Sequence, residues 1–217
     1  MIMEIRKLLV GMPSLDYVHV ETVKCLCALL AKLREDGIHH ELFLCSGTLA
    51  HVARDKIAQK AINEGFSHVL WLDADMIFKP EILEDLAFGG HDFVSGVAAA
   101  RRPPHLICLF KDLNLDNLKH VELDDMNGEP FEIAGCGFAC VLIETEILRA
   151  VCMHYKTCFL PMADYGEDLA FCLRAREMGY RIWADPSVRL GHIGHNAVWP
   201  EDHDRYMQLL MMQGGEI

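Results

Sequence analysis

"HVLWLDADMIF" (residues 68–78) decides how the rest of the chain is read. Val69, Leu70, Trp71 and Leu72 form a continuous apolar run, the signature of a strand buried on both faces of a parallel sheet. The run then meets Asp73 and Asp75, separated only by Ala74, and returns to Met76, Ile77 and Phe78. Carboxylates are rarely buried without a partner, so a pair here calls for a cation. Period-two alternation predicts that both point to one side of an extended strand end. Hard oxygen ligands at that spacing suit Mg²⁺ or Mn²⁺, which complete their shells with water and phosphate oxygens. Two loop aspartates solvated at a strand end, or capping the following helix, would also fit the pair by itself.

Outward from this stretch, strand and helix patterns alternate. "IRKLLVGMP" reads as a strand, residues 16 to about 35 as an amphipathic helix ending at Gly37, and "HHELFLCSG" as a second strand. "TLAHVARDKIAQKAINEG" reads as a helix capped by Thr48 and stopped by Gly65, and "KPEILEDLAF" as a short helix with Pro80 near its first turn. "DFVSGVAAA" is a fourth strand. Repeated strand–helix–strand units imply a mostly parallel α/β sheet whose ligands bind at the carboxyl ends of the strands, where Asp73 and Asp75 fall. Residues 101 to about 132, with Pro103, Pro104 and the turn-forming Asn127–Gly128, suggest an antiparallel excursion in the middle of the chain. "FEIAGCGFACVLIETEIL" reads as a glycine-interrupted strand running into a helix, and "DYGEDLAFCLRAREMGY" as a helix stopped by Gly179. "RIWADPSVRLGHIGHN" reads as a short strand followed by a loop carrying two histidines, and "MMQGGEI" as a frayed tail.

Length and composition set outer bounds. The 217 residues fit one α/β domain, and 52% hydrophobic residues supply a sizeable core. The formal charge of −12 argues against non-specific grip on nucleic-acid backbone. The nine cysteines lie among apolar neighbours with no CxxC pair, which reads as reduced, buried thiols of a cytoplasmic protein. "MIMEIRKLLVGMP" is too short and too charged for a signal segment, and no stretch approaches the roughly 20 apolar residues of a membrane span.

Two further constellations carry chemistry. Asp164, Glu167 and Asp168 fall within five residues at a helix start. The dipole and free N–H groups there favour carboxylates, and a carboxylate near a bound electrophile can act as general base. Capping would account for one of them. His192 and His195 stand in "GHIGH", where flanking glycines leave room for an imidazole to reach a metal.

Taken in order, a hydrophobic strand ending in DxD, a later "GED" at a helix start and a C-terminal histidine in "DPSVRLGH" resemble the GT-A nucleotide-sugar glycosyltransferases, especially the compact family-2-like enzymes of phages and bacteria. The resemblance covers most of the chain. It implies a single GT-A (Rossmann-like) domain over 1–217, with a nucleotide-binding half at about 1–100 and an acceptor and catalytic half at about 101–205. It implies a metal-dependent transfer from a nucleotide-diphosphate sugar, UDP-sugar favoured, to a hydroxyl acceptor, with Mn²⁺ or Mg²⁺ as cofactor. Asp75, Asp73 (through ribose or water) and His192, or His195 in its place, would hold the ion. Asp168, or Glu167 beside it, would be the base. Pro13, Ser14 and Arg54 would lie around the nucleoside, Arg101 by the donor phosphate or sugar, and Gly135 and Gly137 where backbone approaches the donor sugar. Asp164 and His195 would face the acceptor, which is open among a glycan, a protein, a small molecule and a modified nucleic-acid base. The cysteine usage and the lack of a signal segment or span place the protein in the cytoplasm, a host's if, as the resemblance to phage enzymes allows, it is phage-encoded. The Asp pair also admits a nucleotidyltransferase or phosphatase, and the scaffold a catalytically inert binding protein.

Overall fold

The computed structural model describes residues 4–194 and 197–212. A seven-stranded sheet runs through it in the order β2 (His40–Cys45), β1 (Leu8–Pro13), β3 (His68–Leu72), β10 (Cys140–Glu144), β5 (Phe93–Val97), β11 (Ile182–Arg189), β8 (Phe131–Ile133). Strands β2, β1, β3, β5 and β11 share one direction, and β10 and β8 oppose it. Two three-stranded antiparallel sheets flank it. One joins β4 (Met76–Ile77), β12 (Gly191–Ile193) and β13 (Ala197–Val198). The other joins β6 (Leu109–Asp112), β7 (Lys119–His120) and β9 (Gly135–Cys136) and forms the central excursion. The architecture is the mixed α/β one expected from the strand–helix alternation.

Alternation along β3 explains why its apolar run is continuous. Val69 and Trp71 enter one core, and Leu70 and Leu72 enter another on the opposite face. The first core is covered by α2 (Ala50–Asn63), α4 (Thr145–Tyr155) and α5 (Glu167–Glu177), the second by α1 (Val20–Glu35) and α3 (Ile82–Phe88). An aromatic nest lies in the first core: Trp71, Phe138 and Phe159 meet edge to face, with centroids 5.1–5.7 Å apart, and Phe171 stacks on Phe159. Helix α2 crosses β1 so closely that a Cβ on Gly11 would sit 2.5 Å from Ile57 Cγ2. That approach carries Arg54, one turn earlier on α2, down to the end of β3. α6 (Asp202–Met212) closes the described chain. Among the described residues no helix is long and apolar enough to cross a membrane.

Several local expectations give way. Strand β3 stops at Leu72, and Asp73–Asp75 form a turn before β4, so strand alternation does not carry across the Asp pair. The cap of α2 is Leu49 in extended conformation with no side-chain bond, not Thr48. The segment after Gly179 is no short strand but the eight-residue β11, and His192 lies on strand β12, not in a loop. The tail forms helix α6 as far as Met212. Cys152 and Cys158 are joined in a disulfide, against the reading of all nine cysteines as reduced.

Candidate functional site

At the carboxyl end of β3 the two aspartates part company. Asp73 keeps its backbone in register through N–H donation to the Ala139 carbonyl, and its Oδ1 accepts from Arg54 Nη2 at 2.9 Å. Asp75 faces the other way: Oδ2 lies 2.9 Å from Arg101 Nη1 and Oδ1 lies 3.5 Å from His192 Nε2. The Asp75 carbonyl accepts the Ile193 N–H, which fixes the height of β12 against this turn.

His192 presents a tautomer argument. Its Nδ1 is 2.9 Å from the Ala99 carbonyl, which can only accept, so Nδ1 carries the proton. A neutral ring then turns the Nε2 lone pair toward a carboxylate oxygen, an arrangement that is stable only with a cation between them. A proton can fill that role: burial disfavours the charged ring, but the bond to Asp75 and the Ala99 carbonyl win, and the His192 pKa is raised. Burial likewise pushes Asp75 up, yet His192 and Arg101 outweigh it and its pKa is lowered.

A divalent ion fits the same gap. Adjacent ligands of an ion with bonds near 2.1 Å stand about 3 Å apart, close to the 3.5 Å between Asp75 Oδ1 and His192 Nε2. A backbone carbonyl on the far ring nitrogen is the usual way a ligating histidine is oriented. No group of three or more Asp, Glu, His or Cys side chains converges to hold an ion among the described residues. The described residues thus offer two protein ligands, Asp75 and His192, and ligand oxygens and water would supply the rest, as Mg²⁺-type sites commonly arrange.

Arg54 is the ionic hub. It is 4% exposed and bonds Asp73 and, through Nε at 3.4 Å, Glu167 Oε1. Burial opposes its charge, but Asp73, Asp168 and Glu167 more than compensate, and its pKa is raised. Phe138 packs its ring 5.2 Å from the guanidinium. Nη1 is buried and donates to nothing among the described residues. With Glu167 engaged on Arg54, Asp168 is the freer carboxylate of the pair. Its Oδ1 accepts the Leu169 N–H at 2.8 Å, and Oδ2 lies 3.6 Å from where a Gly137 Cβ would stand. Burial raises the Asp168 pKa to about 6, with Arg54 only partly offsetting it, and burial also raises Asp73. A carboxyl poised near neutral pH is suited to taking a proton.

The other anticipated residues are distributed as follows. Pro13 ends β1, and the buried Ser14 donates from Oγ to the Tyr17 carbonyl at 2.7 Å. Their loop meets the Asp turn where His19 N–H bonds the Ala74 carbonyl. Gly137 borders the site, whereas Gly135 lies inside the protein, where a Cβ would meet Leu113 at 3.0 Å and Cys172 at 3.2 Å. Asp164 is exposed on the segment leading to α5. His195 lies outside the described residues.

Three contributors carried no motif. Ala99 acts through a backbone carbonyl, which no side-chain pattern announces. Cys108 stands near Asp168 and Asp73, and burial lifts its thiol to about 12. Asp55, beside Arg54, accepts the N–H groups of Cys158 and Phe159 at 2.9 and 3.0 Å, anchoring the segment that leads to Asp164 and Asp168.

No protein-family profile matches the chain, and no curated protein matches it in sequence. Solved structures do match it in shape. A crystal structure of A197 from STIV is 20% identical with a TM-score of 0.62, each chain covered to 91%. The catalytic domain of Drosophila beta1,4galactosyltransferase 7, complexed with xylobiose, is 14% identical with a TM-score of 0.52, covering 94% of this chain and 73% of that one. GalNAc-T7 with UDP, GalNAc and Mn²⁺ is 13% identical with a TM-score of 0.50, and this chain spans about half of it: 94% of this chain is covered and 48% of that one. The fold is GT-A-like.

Proposed function

We propose that this chain is a metal-dependent glycosyltransferase that moves a sugar from a nucleotide-diphosphate sugar, a UDP-sugar by preference, to a hydroxyl acceptor. The observation that carries the reading is the facing pair Asp75 and His192 at the end of β3, with His192 Nδ1 committed to Ala99 and the raised-pKa carboxyl of Asp168 on the neighbouring α5. Asp75 and His192 would hold Mn²⁺ or Mg²⁺. A divalent ion at this position supplies Lewis-acid stabilisation of a departing diphosphate. It also lets a protein of net charge −12 accept an anionic donor.

The remaining work falls to side chains. Arg54 holds Asp73 at the donor side, and its buried guanidinium also fixes Glu167 beside Asp168. Arg101 is free to turn from Asp75 to a phosphate oxygen. Pro13 and Ser14 border the nucleoside, and Gly137 leaves room beside Asp168 for the transferring sugar. As the acceptor oxygen bonds to the anomeric carbon, the bond from that carbon to the diphosphate oxygen breaks. The diphosphate leaves with the electron pair, and the hydroxyl proton passes to Asp168. Asp164, exposed on the segment before α5, belongs to the acceptor side.

The test is a melting-temperature panel of UDP-, GDP- and dTDP-sugars with and without Mn²⁺. A donor at about 100 times its Kd contributes about 2.7 kcal/mol, roughly 5–11 °C for a chain of this size. A metal-dependent shift with one donor, followed by release of the nucleoside diphosphate, is expected. No shift with any of them overturns the reading, and release of a sugar 1-phosphate would favour nucleotidyl transfer instead.

A further inference from the structure

A cavity of about 290 Å³ opens between the start of α3, the end of β11 and Trp199, and none of Asp75, His192 or Asp168 lines it. Alternation along β12 sends His192 toward Asp75 and turns Gly191 to the opposite face. There Gly191 seats Trp199: a Cβ at residue 191 would stand 3.0 Å from Trp199 Cε2 and Cζ2. The indole remains 39% exposed and forms one wall. Lys79, Asp85, Ser187, Arg189 and Glu201 supply polar groups around it, and Ile82 and Val188 supply apolar surface.

Of the charged groups that line the cavity, two are cations and two are carboxylates: Arg189 is ion-paired with Glu201, and Lys79 and Asp85 are the other two. An anionic ligand would have to displace Glu201 and approach Asp85, and a cationic one would meet Lys79 and Arg189. A neutral polyol meets neither difficulty. A pyranose ring has an apolar face of axial C–H groups and an equator of hydroxyls that donate and accept. The first suits an exposed indole, and the second suits fixed carboxylate, guanidinium, ammonium and hydroxyl groups.

We infer that the Trp199 cavity is a binding site for a neutral pyranose unit, separate from the Asp75–His192–Asp168 site. It does not depend on the transferase reading. It would hold a glycan by a unit remote from any reacting hydroxyl, which raises the local concentration of the chain without touching the chemistry.

Saturation-transfer NMR tests this with the methyl glycosides of glucose, galactose, mannose and N-acetylglucosamine, each at a few millimolar, on the full chain. At least one glycoside is expected to receive saturation, strongest at its ring C–H protons. The signal should fall roughly five-fold or more in Trp199→Ala and roughly two-fold in Lys79→Ala, a change on the exposed rim, because the indole supplies most of the contact area. Trp199→Phe, which keeps an aromatic ring on Gly191, should retain part of it if Trp199→Ala loses its fold. Asp75→Ala should leave the signal unchanged, which separates this site from the proposed donor site. Silence from all four glycosides, a signal indifferent to Trp199 and Lys79, or one abolished by Asp75→Ala would each overturn the inference.

Discussion

Replacing Arg54 by methionine tests the ionic hub directly. The side chain is 5% exposed and is bonded to Asp73 and Glu167, with Asp168 close enough to raise its pKa further. Methionine keeps most of the volume and removes the charge, so three neighbouring carboxylates lose their common partner. Breaking a buried ion pair from one side costs about 3–5 kcal/mol, which for a chain of this length is roughly 6–20 °C in melting temperature. The pH dependence has a definite sign. Without the guanidinium, Asp73 and Asp168, both already raised by burial, bind protons still more tightly folded than unfolded. The destabilisation is therefore fully present above their raised folded pKa values and shrinks as pH falls through them. The relief is up to about 1.4 kcal/mol per pH unit for each proton taken up. Urea titrations of wild type and Arg54→Met at pH 7.5 and pH 5 measure both quantities. A loss below about 1 kcal/mol at pH 7.5, or one equal at both pH values, would refute the hub.

Other expectations are narrower. Asp168 acts as the base in its deprotonated form, so kcat/KM should climb about ten-fold per pH unit below its pKa of about 6 and level off above it. Asp168→Asn should remove that limb and lower the rate by about 10²–10⁴. Asp75→Asn should abolish the Mn²⁺-dependent part of any donor-induced melting shift while leaving the protein folded, because Asp75 is only partly buried and its partner Arg101 is more than half exposed. His192→Ala should weaken the same shift. The Cys152–Cys158 bridge closes a loop with a sequence separation of 6. Its reduction with dithiothreitol should lower the melting temperature by roughly 4–8 °C, following the ~2 kcal/mol expected for so short a loop.

The parts of this protein that sequence revealed are those where one side chain's chemistry is enough. The apolar run of β3 could only be a strand covered on both faces, and its carboxylates had to emerge at the end where ligands bind. The acids at the start of α5 and the imidazole of His192 were visible for the same reason, as unusual side chains in definite local settings. Partnership was not visible. Asp73 and Asp75 looked like one ligand pair, yet a turn after Leu72 sends the first to Arg54 and the second to His192. Glycines around His192 suggested a loop, whereas Gly191 is there to admit the Trp199 ring beside a strand. The tautomer of His192 depends on the carbonyl of Ala99, 93 residues away, and the Cys152–Cys158 bridge depends on how α4 ends. Such facts belong to the assembled backbone and leave no periodicity behind.

Strand β10 has a consequence for how the chain must be made. It runs between β3 and β5 and bonds both, while those two strands bond no other common neighbour. Residues 69–72 and 93–97, among the most apolar in the protein, leave the ribosome before residue 140, so each presents an open hydrophobic edge until β10 slides between them. Translation therefore passes through a stage in which almost half the polypeptide exists but its central sheet is split in two. That interval is when a holding chaperone would be most useful, and when nascent chains would be most prone to pair with one another.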